Sequence, residues 1–96
     1  MKQNHYRITV QPIPGPDEAP VAGEPLVFET ANHDDILAIV ERFRARGDFK
    51  DDQATALAVG LKLFGEVMLK NRSNPLFEGL APAYGEFMKS IKGKRS

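Results

Sequence analysis

The residues of this chain best suited to chemistry are His33, Asp34 and Asp35, with His5, the only other histidine, available to join them. An imidazole beside two carboxylates could ligate a metal ion or pass a proton. The spacing argues otherwise. Adjacent helical residues point about 100° apart, so Asp34 and Asp35 cannot easily face one ion. Hard cations take more oxygen ligands than these, and a structural zinc site needs four ligands. The same residues make good sense as a helix start. Asn32 serves as the N-cap, and Asp34 and Asp35 fall in the first turn, where the helix dipole favours negative charge.

Other constellations reduce in the same way. Asp48, Asp51 and Asp52 lack the alternating spacing and distal Glu of a calcium loop, and Asp51 or Asp52 reads as the cap of a second helix. Gly60 and Gly65 frame four residues like a phosphate loop, but no strand precedes them and the Gly-Lys-Ser/Thr ending is missing. Lys70, Arg72 and the basic end Lys89, Lys92, Lys94 and Arg95 could meet phosphates, yet no aromatic residues are interleaved with them for base stacking. Phe77, Tyr84, Phe87 and Met88 could line a pocket, although their helical spacing reads as core. Convergence of His5, Arg7 and His33 on one concavity would be needed for a small-ligand site or a minor enzyme. No catalytic, cofactor-binding or metal-binding residue is assigned.

Composition narrows the field further. The 96 residues suit one domain, 1–96, and the 42% hydrophobic and 27% charged fractions are those of a soluble globular chain. With 13 basic and 13 acidic residues the net charge is zero, so nothing global favours nucleic acid or an anionic membrane. Residues 1–48 carry 5 basic and 8 acidic side chains and residues 49–96 carry 8 and 5, a shift from −3 to +3 that favours self-association weakly. There is no cysteine, which removes thiol nucleophiles, thiolate metal sites and disulfides. The start, MKQNHYRITV, lacks a signal peptide's apolar core. The longest apolar run, Ala56 to Leu61, is far below the roughly 18 residues of a membrane span. A cytoplasmic location is expected.

The elements that would position these residues follow from periodicity. His5 to Gln11 alternates, with Tyr6, Ile8 and Val10 on one face, and predicts a strand over residues 5–11. Five prolines and glycines between Pro12 and Pro20 make an exposed connection. A second strand follows over 25–30, with Leu26 and Phe28 on one face, and pairs with the first as an antiparallel hairpin. A first helix is predicted over 33–46 with the stripe Ile36, Ile39, Val40, Phe43 and a stop at Gly47. A third, over 75–92, starts with Pro75 behind a Ser73 or Asn74 cap and carries Leu76, Phe77, Leu80, Tyr84, Phe87, Met88 and Ile91 on one face. Pro82 must kink that helix or restart it. Residues 93–96 form a tail.

Between them, residues 52–70 make the most informative helix. At about 100° per residue, Thr55, Lys62, Glu66 and Lys70 share one narrow polar edge, and apolar residues fill the other ~240°. A surface helix needs an apolar stripe only slightly wider than ~100°. The helix should therefore be central and enclosed by the chain or by a second copy. Its stripe Ala54, Ala58, Leu61, Gly65 is small enough to admit a neighbouring helix, and Gly60 and Gly65 read as contact points. The predicted architecture is α+β: an N-terminal hairpin packed on three helices, the middle one central.

HYRITV near the start, NHDDI before the first helix, ALAVGLKLFGEVMLKNRSNPLF in the middle and GEFMK near the end together resemble a family of small bacterial proteins classed only as a domain of unknown function. The likeness runs over roughly His5 to Lys92. It implies a single α+β domain, and it carries over no activity, ligand or catalytic residue. The leading expectation is a non-enzymatic interaction protein that forms a homodimer, because a lone two-stranded hairpin is marginal and the apolar arc is wide. The alternatives are a small-ligand or enzyme fold with a pocket between hairpin and helices, and nucleic-acid contact through Lys70, Arg72 and the basic end.

Overall fold

A computed structural model describes residues 3–92. The tail at 93–96, with Lys94 and Arg95, lies outside the described residues. The order is two strands, two helices, a short 3-10 turn and a last helix, an α+β arrangement of a hairpin followed by three helices. The backbone divides into two compact units near Asp34.

In the first unit, β1 (Asn4–Val10) and β2 (Leu26–Asn32) pair antiparallel, with Ile8 opposite Phe28 and Val10 opposite Leu26. This register puts Tyr6, Ile8 and Val10 on the same face as Leu26, Phe28 and Thr30, as alternation demands. Pro25, which cannot donate to the ladder, stands just before β2. β2 runs two residues past the expected end at 30. Asn32 is therefore no helix cap. It is the buried last residue of the strand, and its side-chain oxygen accepts the Asp34 N–H at 2.9 Å. The Tyr6 hydroxyl donates to the Asp34 carbonyl at 3.4 Å, and the Asn4 amide to the Asn32 carbonyl at 3.5 Å.

The second unit starts with α1 (Ile36–Arg46). Its N-cap is Asp35, in an extended conformation, whose carboxylate accepts the Ala38 N–H at 3.2 Å. The helix begins three residues later than expected, because Asn32 to Asp34 are committed to the strand end and its turn. Asp34 and Asp35 accordingly lie before the first turn, not in it. Gly47 ends α1 at φ 79°, a left-handed conformation that glycine adopts without strain.

α2 (Asp51–Lys70) is the longest element. Its N-cap is Lys50, which gives no side-chain hydrogen bond. Asp51 and Asp52 lie inside the first turn instead, where their charge still meets the helix dipole. α1 and α2 pack together. Ile36, Val40 and Phe43 are buried on α1; Ala54, Ala58 and Gly65 are buried on α2, with both alanines wholly covered. The small stripe expected to admit a neighbouring helix does so. Burying each large α1 side chain contributes about 1.5–3 kcal/mol. Arg44 Nε also donates to Thr55 Oγ1 at 3.1 Å.

Residues 75–92 do not form one helix. Pro75–Phe77 is a 3-10 turn capped by Asn74, whose side chain accepts the Leu76 N–H at 2.9 Å. α3 starts afresh at Ala81 and runs to Lys92. Pro82 sits at its second position, where its missing N–H costs no helical bond; the restart, not the kink, is what the chain adopts. The break destroys the common phase, leaving Leu76 78% exposed while Phe77 is buried. α3 is tied back at both ends of the unit's packing. The Tyr84 hydroxyl donates to the Leu61 carbonyl at 2.8 Å, and Arg46 donates to the Ile91 carbonyl at 3.0 Å.

Candidate functional site

His5 and Arg7 are exposed on the hairpin face opposite Tyr6 and Ile8, and His33 follows β2 with its side chain 54% exposed. Arg7 pairs across the ladder with Glu29 at 3.1 Å, and His33 approaches Asp34 at 3.6 Å. Arg7, Glu29 and His33 are exposed, and Asp34 is half-buried. Asp34 and Asp35 serve the turn and the cap. Among the described residues, no group of three or more His, Asp or Glu side chains could hold a metal ion. Asp48 pairs with Arg46 at 3.1 Å, and Asp51 and Asp52 open α2. Lys70 lies 3.7 Å from Glu66, and Arg72 is exposed just past the helix.

The aromatic residues of the last third divide. The Phe64 ring meets Phe77 edge-on at 5.8 Å and Tyr84 at 5.5 Å, a cluster that ties α2 to the 3-10 turn and α3. Tyr84 and Met88 are half-buried, whereas Phe87 is 44% exposed. These residues are partly core, and they also form part of a surface.

That surface continues along α2, and its position reverses one sequence expectation. The edge expected to be wet is covered over much of its length: Glu66 is buried and Thr55 and Lys62 are half-buried, while Lys70 at its end is exposed as expected. The side turned away from the buried Ala54, Ala58 and Gly65 faces solvent, and beyond Gln53 it is largely apolar. Ala56, Gly60, Phe64 and Val67 are exposed there, recurring at spacings of three and four that keep them on one helix face. The two glycines expected to be contact points also separate. A Cβ on Gly65 would run into the Tyr84 side chain, whose Cζ is 3.1 Å away, while one on Gly60 has nothing described within 4 Å. α2 thus touches both other helices but is not enclosed by them. Residues that sequence reasoning assigned to the core form the candidate site.

The sequence matches, over residues 4–93, the family described as a domain of unknown function with a solved structure, DUF3861. The chain belongs to this family. The crystal structure of a protein of unknown function (eca1910) from Pectobacterium atrosepticum SCRI1043 is similar at 35% sequence identity and a TM-score of 0.82. The similarity covers 97% of this chain and 100% of that one. No curated protein matches. Family membership brings no activity with it. No helix among the described residues is long and apolar enough to cross a membrane.

Proposed function

We propose that this chain is a non-enzymatic protein-interaction module of the bacterial cytoplasm, a single folding unit that self-associates as a homodimer. The observation that carries the reading is the solvent-facing apolar side of α2, where Val67 is 53% and Phe64 37% exposed. Single exposed apolar residues need no explanation, but a contiguous apolar face marks an interaction surface. The hairpin supports the reading independently. Val10, Leu26 and Phe28, on one face of β1 and β2, are 57%, 62% and 40% exposed, and two strands alone are marginal in water.

Light scattering on purified protein at micromolar concentration tests self-association. A mass of twice 10.6 kDa is expected, and a clean 10.6 kDa species would overturn it. Cell fractionation checks the location, with recovery in the soluble cytoplasmic fraction as the expected result. Coincident thermal transitions by far-ultraviolet and tyrosine signals would support a single folding unit.

A further inference from the structure

We infer that the second copy docks on the exposed face of α2, with the two α2 helices antiparallel about a two-fold axis near Gly60. This rests on the homodimer reading and adds its surface and orientation. Three observations converge on it. Gly60 weakens the helix relative to alanine, yet nothing described in its own chain comes within 4 Å of a Cβ placed there. A glycine there leaves room for another backbone to approach closely. Gly60 also sits at the middle of α2, where a two-fold crossing buries the greatest length of both helices.

The exposed face supplies the apolar part of such an interface. Phe64 meets Tyr84, and Leu80 and Phe87, 43% and 44% exposed, stand four residues before and three after Tyr84. The exposed parts of Ala56, Gly60, Phe64, Val67, Leu80 and Phe87 amount to roughly 450 Å² of mostly apolar surface, as expected when about half of each large side chain is uncovered. A standard interface takes roughly 800 Å² from each partner, so these residues would supply somewhat over half of it, with the polar rim that holds Asp52 and Lys70 adding to them.

Charge selects the antiparallel orientation. Asp52 and Lys70 are 18 residues apart, which is five helical turns, so both stand on the same edge of the face at opposite ends, about 27 Å apart. An antiparallel two-fold brings Asp52 of one copy beside Lys70 of the other at both ends. Lys70 then bridges its own Glu66, 3.7 Å away, and the carboxylate of the second copy. A parallel pairing would set like charges at the same level at each end, with no opposite charge beside them, and align the two helix dipoles unfavourably.

The chain has no cysteine, so single introduced thiols report proximity cleanly. Oxidised Gly60→Cys should form a covalent dimer, because a residue near the axis meets its own copy within disulfide reach. Asp52→Cys, far from its own copy, should stay uncross-linked, as should Ser90→Cys on α3. Gly60→Glu should weaken dimerisation at least 100-fold with its far-ultraviolet spectrum retained. Asp52→Lys should weaken it about tenfold, and adding Lys70→Asp should restore it, since two exposed pairs are reversed and then re-formed. Self-cross-linking of Asp52→Cys would overturn the antiparallel orientation. A dimeric wild type that ignores Gly60→Glu and both charge variants would overturn this surface and leave self-association standing. A monomeric wild type would overturn both.

Discussion

A methyl group added at Gly65 would collide with the Tyr84 side chain; the same methyl at Gly60, five residues earlier in the same helix, would meet nothing described in the chain. The alanines divide in parallel: Ala54 and Ala58 are wholly buried, while Ala56 between them faces solvent. One side of α2 is thus small because α1 and Tyr84 lie against it, and the other is small with nothing described in its own chain to require it. Residue type does not separate the two sides, and only the neighbours do. A small residue against a packed neighbour acts through sterics within the fold. The same residue on an open face acts, if at all, through what docks from outside.

The largest expected effect comes from placing a charge on each side in turn. Ala58→Asp buries an unpaired carboxylate between α1 and α2, with no partner positioned for it, and should cost at least about 3 kcal/mol. Against a total of roughly 5–15 kcal/mol, that should unfold the helical unit in mild urea. Ala56→Asp should hold monomer stability within about 1 kcal/mol, set by helix propensity alone, while abolishing association in sedimentation experiments. Equal losses of stability from the two variants would dissolve the distinction between the sides.

Gly65→Ala should be next in size. The added methyl forces Tyr84 aside, an overpacking cost of about 1–3 kcal/mol, partly offset by about 1 kcal/mol of improved helix propensity. Tyr84→Phe alone loses the hydrogen bond to the Leu61 carbonyl, worth about 1 kcal/mol. Because the hydroxyl is the atom nearest the new methyl, the double variant should be more stable than the sum of the single losses by roughly 1 kcal/mol in chemical denaturation. Strict additivity would mean that Tyr84 does not press on Gly65.

Much of this architecture was legible in the residues. Alternation from His5 to Gln11 found β1, Gly47 ended α1, and Pro75 behind Asn74 marked a helical start, although what starts there is the 3-10 turn and not the long helix expected over 75–92. The misreadings have particular causes. Asn32, Asp34 and Asp35 are all good caps, and the deciding signal is that Ile36, immediately after Asp35, is the first buried residue of the stripe. The uniform phase of Leu76 through Ile91 survived on paper because Pro82 can be read as a kink or a start. The tightly wound turn at Pro75–Phe77 shifts Leu76 out of register with Tyr84 and Met88. The face of α2 was not legible at all. A wide apolar arc states how much of a helix can be buried, and it is silent on which part the chain itself covers. Glu66 misled most, because its buried position is compensated by Lys70 one turn on and by further contacts. A charge paired in this way can occupy a covered edge.

The smallest effect is also the one that reads the open face most directly. Gly60→Ala and Gly85→Ala each replace a helical glycine with nothing described within 4 Å of the new Cβ. Each should raise monomer stability by about 0.5–1 kcal/mol, through helix propensity and a less mobile unfolded chain. A thermal melt at low protein concentration would see both gains. They should part at high concentration. The methyl at Gly85, exposed on α3 and outside the α2 face, leaves association unchanged. The methyl at Gly60 holds two backbones apart where they should come closest, so its dimer should be weaker although its monomer is stronger. If the two alanines instead raise stability equally at every concentration, α2 has no close partner at its midpoint.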